Sequence, residues 1–79
     1  MFTKTTNLKK VILELLYETK SEYTTKEIAY TLSENYKGVQ NELRVLEKMG
    51  LVSKTKVDKE FRWKIAPRKS SKVKEFISQ

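Results

Sequence analysis

KGVQNELRVLEKMGLV, residues 37–52, is the stretch that decides how the chain folds. Val39, Leu43 and Leu46 follow one another in steps of four and three, with Met49 one step further, so they stack along one face of a helix. Gly50 ends the ladder, because glycine enters the left-handed conformation that closes helices without a Cβ clash. Leu51 and Val52 then open an alternating, β-branched run, the pattern of a strand. On the N-terminal side, Thr24 to Glu27 has the threonine-x-x-glutamate spacing of a capping box, and Ile28, Ala29 and Leu32 follow at helical spacing. Ser33-Glu34-Asn35 breaks that pattern, and Asn35 is a good N-cap for a helix over 36–49. The expected order is short helix, tight turn, longer helix, glycine and hairpin.

The flanks complete a small core. Asn7 caps a first helix from Leu8 to about Glu18, with Leu8, Val11, Ile12, Leu15 and Leu16 as its buried stripe; residues 1–6 read as a frayed extension. Tyr23 is expected to tuck inward, as a very short strand beside a hairpin over 51–65. Asp58-Lys59 is the turn of that hairpin, although it lacks the glycine most favoured there. In the first strand Lys54 and Lys56 share one face. In the second, Phe61, Trp63 and Ile65 share one face and Glu60, Arg62 and Lys64 the other. With so little other core available, the aromatic face is expected to lie under the helices rather than to stack on single-stranded bases. Ala66-Pro67 ends the strand, and residues 68–79 form a basic segment in which Val73, Phe76 and Ile77 mark a short terminal helix. The fold class is α+β: one domain over 1–79, with a three-helix core, a two-stranded β-hairpin and a short terminal helix.

Composition narrows the chemistry. With 79 residues the chain holds one domain at most, and without cysteine or histidine it lacks disulfides and the usual zinc ligands. No glycine-rich phosphate loop and no nucleophile–base pairing stands out, so an enzyme is not expected, nor a cofactor, a metal or a small-molecule ligand. No window reaches the length of a membrane span and nothing suggests secretion, which points to the cytoplasm. The net charge of +7 is concentrated: residues 1–35 balance, whereas residues 36–79 hold twelve basic residues against five acidic ones. A basic excess that begins at the third helix and runs through the hairpin suits a phosphate backbone, although such charge also serves solubility.

Opposite the apolar ladder, the third helix presents Tyr36, Lys37, Gln40, Asn41 and Arg44, with Lys48 a turn on. Glutamine, asparagine, arginine and lysine carry the donors and acceptors that match base edges in the major groove. Gly38 weakens a helix interior, which makes sense where the backbone must come close to the second helix or to DNA.

Residues 24–65 resemble the winged helix-turn-helix family of small bacterial and archaeal transcription regulators, in which a segment such as KGVQNELRVLEKMGLV is the recognition helix and its exit into the wing. The resemblance places Lys37, Gly38, Gln40, Asn41 and Arg44 at the major groove. It places Lys54, Lys56, Lys59, Arg62 and Lys64 on the wing, toward the DNA backbone; Arg68 and Lys69 of the basic segment join that group, as does Lys48. The implied partners are double-stranded DNA and a second copy of the chain in a homodimer, with the first helix or Val73-Phe76-Ile77 as candidate interfaces. Two departures stand out: the hairpin loop is very short, and Glu42 faces sideways or toward phosphate. The alternatives are a protein-docking winged helix of a replication or transcription complex, and a non-specific architectural DNA-binding protein.

Overall fold

The structure, a computed structural model, describes residues 7–78. Helix α1 (Leu8–Thr19) leads into a two-residue strand β1 (Tyr23–Thr24), then α2 (Thr25–Leu32) and α3 (Tyr36–Lys48). Strands β2 (Val52–Val57) and β3 (Glu60–Ile65) and helix α4 (Ser70–Ser78) follow. The sheet has the order β1-β3-β2, so the expected hairpin gains a third, short strand on its other edge. Tyr23 pairs with Trp63 and Thr24 with Arg62, while Val52 to Val57 pair antiparallel with Ile65 to Glu60.

Helices α1, α2 and α3 each begin where a side chain satisfies free amides. The Lys9 N–H donates to Asn7 Oδ1 at 2.9 Å. The capping box of α2 is complete: the Glu27 N–H donates to Thr24 Oγ1 at 3.1 Å, and the Thr24 N–H to Glu27 Oε1 at 2.9 Å. Asn35 accepts from the amides of Lys37 and Gly38. The exit of α3 is a Schellman motif, in which the Gly50 N–H donates to the Glu47 carbonyl and the Leu51 N–H to that of Leu46. Gly50 takes φ +79°, the conformation that its place in the sequence predicts.

Val39, Leu43 and Leu46 are fully buried against Ile12, Leu13, Leu16 and Ile28, with Leu51, Val52, Trp63 and Val73 closing the core. Three packing expectations change. Met49 is 48% exposed, because it is the C-cap of α3 and the chain turns at Gly50 to place Leu51 inside instead. On α1, Leu13 is buried and Leu15 only partly so. That helix packs against α2, α3, α4 and β3, so its buried arc is wider than one stripe. Phe61 is 42% exposed: β3 carries it two residues, about 7 Å, beyond the buried Trp63 toward the turn. Trp63 is 3% exposed and Ile65 partly buried, so the aromatic face is core at one end and surface at the other.

Helix α4 folds back, with Val73 fully buried and Phe76 and Ile77 packed on the same core. The expected fraying of 1–6 lies outside the described residues. No helix among the described residues is long and apolar enough to cross a membrane.

Candidate nucleic-acid interface

Antiparallel partners project to the same side of a sheet, so the register sorts the basic residues of the hairpin. Lys54 lies opposite Trp63 and Lys56 opposite Phe61, which puts both lysines on the aromatic face, turned toward α3. Arg62 and Lys64 alternate onto the other face, with Ser53 and Thr55. The two strands therefore divide the wing's cations between opposite sides.

On the side facing α3 lies an open groove of about 360 Å³. One wall is the exposed face of α3, where Tyr36, Gln40 and Arg44 follow at intervals of four; the other is the wing, with Lys54, Lys59, Glu60 and Phe61. Thr24, Thr25 and Lys26, at the start of α2, complete the lining, and the buried Trp63 and Thr25 lie at its base. The groove holds Lys26, Arg44, Lys54 and Lys59 against one carboxylate, Glu60. Lys37 and Asn41 are exposed on α3, as are Lys48 near its end and Lys56 on β2.

The wing is held to the helices by one buried polar contact. Trp63 Nε1 donates to Thr25 Oγ1 at 2.9 Å, and Thr25 is the one polar side chain among the described residues that is buried. An indole N–H out of water needs such a partner, and Thr25 is the first residue of α2. The bond thus joins the central strand of the sheet to the helix that precedes the turn into α3. Lys54 is oriented from both sides: its ammonium lies 3.8 Å from Glu47 Oε1, 4.7 Å from the centre of the Phe61 ring and 5.7 Å from that of Trp63. Lys56 lies 5.9 Å from the Phe61 ring centre.

The structure thus gathers Tyr36, Gln40, Arg44, Lys54 and Lys59 around one concavity, but not all of the basic residues named from the sequence. Lys64 sits on the opposite face with its ammonium 3.9 Å from Glu22, and Arg62 is on that face too, with a buried Nε that has no hydrogen-bond partner. Arg68 and Lys69 follow the far end of β3 from the wing's turn, and the residues on either side of them, Pro67 and Ser70, line a cleft with Tyr17 and Lys20 at the end of α1. Glu42 turns sideways, to Lys9 on α1 at 2.8 Å, so it braces α3 instead of facing a ligand.

Gly38 needs a correction. A Cβ built there meets no atom of another element within 4 Å, so approach to α2 does not require a glycine at this position, and approach to DNA is the part of the expectation that stays open. The groove also contains residues that sequence reasoning missed, Thr25 and Lys26 above all. Lys26 was hidden by the even charge balance of residues 1–35. Thr25 looks like any helix-start threonine until Trp63 is placed above it.

No protein-family model matches the sequence, and no curated protein matches it. Solved structures do. MepR of Staphylococcus aureus, a transcription regulator of the multidrug efflux pump MepA, aligns with a TM-score of 0.79 at 25% identity over 95% of this chain and 57% of its own. A MepR–DNA complex aligns at 0.78 and 25% identity, over 92% of this chain and 62% of its own. ZitR of Lactococcus lactis gives 0.79 at 23% identity over 96% and 53%. The ST1889 protein of the archaeon Sulfolobus tokodaii gives 0.77 at 24% identity over 95% and 75%. The chain therefore spans little more than half the length of MepR and ZitR.

Proposed function

We propose that this chain, a winged helix-turn-helix protein of the transcription-regulator type, is a sequence-specific double-stranded-DNA-binding regulator. Helix α3 enters the major groove and the wing lies along the backbone. One observation carries the reading: the side chains suited to base edges, Gln40 and Arg44, share a groove with the wing cations Lys54 and Lys59. A helix presenting its outer face to base edges, flanked by a strand that presents ammonium groups, matches the division between contacts that specify and contacts that position. That MepR has been solved with DNA supports the same reading. The polar and basic outer face of α3 disfavours a protein-docking role. Residues 1–79 act as one unit and bind as a two-fold dimer on palindromic half-sites.

Selection of duplexes from a random pool tests this directly: an enriched palindrome is expected. On the selected site, Arg44→Ala or Gln40→Ala is expected to lower discrimination against single-base changes by about 1–3 kcal/mol. Lys56→Ala is expected to weaken selected and scrambled duplex alike. If the pool yields no enriched sequence, the protein binds as a non-specific architectural factor and the base-reading assignment fails.

Gly38 supplies a second test, with two effects of opposite sign. Because its Cβ position is empty, Gly38→Ala is expected to stabilise the fold by about 0.5–1 kcal/mol, read from thermal or urea unfolding. The added methyl group stands on the N-terminal part of α3, where the backbone approaches DNA, so affinity for the selected duplex is expected to fall. Unchanged affinity in the stabilised variant would remove Gly38 from the interface.

A further inference from the structure

The exposure of Phe61 gives the groove a capacity that base-edge reading does not use. Two aromatic side chains line it while remaining open to solvent, Tyr36 on α3 and Phe61 on the wing. The ammonium groups of Lys54 and Lys56 lie over the Phe61 ring, 4.7 and 5.9 Å from its centre, where a stacking base would displace them toward its flanking phosphates, and Arg44 and Lys59 line the same concavity. Had Phe61 served only to fill the core, it would lie under the helices as Trp63 does. Instead the hairpin carries it past them, into a basic groove with room for a nucleotide.

Aromatic faces interleaved with cations are what an unstacked base and its flanking phosphates require. The ring accepts the base by stacking, whatever its identity, and the ammonium groups meet the backbone on either side. Paired bases inside a duplex offer only their edges, so the aromatic faces stay unused there.

We propose that the groove between α3 and the wing accepts a single unpaired nucleotide, stacked against Phe61 and Tyr36, so that the protein prefers duplex DNA containing an unpaired base to fully paired duplex. This rests on the DNA-binding reading above and adds a structural preference to it. The unpaired nucleotide belongs to a duplex, because Lys37, Asn41 and Lys48 continue the polar and basic surface along α3 beyond the groove.

The chain has a single tryptophan, Trp63, at the base of the groove, which makes its fluorescence a local reporter. The test titrates the full chain with a paired duplex, with the same duplex carrying one bulged thymidine, and with free thymidine monophosphate. The bulged duplex is expected to bind about tenfold more tightly than the paired one and to change Trp63 emission, with the free nucleotide far weaker. Phe61→Leu keeps an apolar side chain but no ring, and is expected to weaken binding of the bulged duplex about tenfold more than that of the paired duplex, which abolishes the preference. Equal affinity for the two duplexes overturns the proposal while leaving DNA binding intact. An equal loss on both duplexes in Phe61→Leu makes Phe61 an ordinary duplex contact and overturns it as well. Free nucleotide binding as tightly as the bulge would assign the groove to a soluble ligand instead. Failure to bind either duplex would overturn the DNA-binding reading together with this one.

Discussion

Trp63→Ala is expected to cost about 3–5 kcal/mol in urea unfolding, the range for removing a large buried aromatic side chain from a core. Small domains are stable by only about 5–15 kcal/mol in total, so much of the variant is expected to be unfolded at 37 °C. The size follows from position: Trp63 is 3% exposed, joins the sheet to the helical core, and spends its indole N–H on Thr25. The polar part of the effect can be isolated. Thr25→Val keeps the volume but leaves the buried Nε1 donor without a partner, and is expected to cost about 1–3 kcal/mol. Thr25→Ser should restore most of that loss. Pairing Thr25→Val with Trp63→Phe is expected to be clearly less damaging than the sum of the single changes, since either removes the same bond. Strict additivity would mean that the 2.9 Å contact contributes nothing beyond packing.

The second large effect concerns salt. Neutralising about six phosphates gives a slope near −5 in a plot of log affinity against log salt, so raising salt from about 50 to 200 mM is expected to lower affinity about a thousandfold. The sorting of cations by strand register makes this specific to residues. Changing Lys54, Lys56 and Lys59 together to alanine is expected to flatten the slope by about two to three. Lys64→Ala should leave it unchanged, because Lys64 lies on the opposite face beside Glu22. Filter binding or fluorescence anisotropy across a salt series measures both. A shallow slope in the parent, or equal flattening by Lys64→Ala, would count against the wing face assigned to the backbone.

These two cases also mark where the sequence was legible. The ladder Val39-Leu43-Leu46, the glycine exit and the capping box are local patterns, set by helix periodicity and by the geometry of free amides, and they appear in the structure as read. Alternation along each strand was legible for the same reason. Two things were not, because they depend on other segments. Pairing Lys54 with Trp63 rather than with a neighbour decides which cations face α3, and that register is a relation between strands. The end of the helical cover decides that Trp63 is core and Phe61 surface, and no period within β3 encodes where that cover stops. Thr25 belongs with these, since its importance exists only once a residue 38 positions away has been placed above it.

The pairing of β1 with β3 also bears on the order in which the molecule can be made. Tyr23 and Trp63 are partners across some 40 residues of chain, and the Thr25–Trp63 bond repeats that separation one step into α2. Closing so long a loop costs entropy before any of its contacts are rewarded. A chain still emerging from the ribosome has the residues of α2 and α3 well before it has β3, and so lacks the strand that holds the start of α2. The groove between α3 and the wing is therefore completed only when β3, the second strand of the wing, arrives.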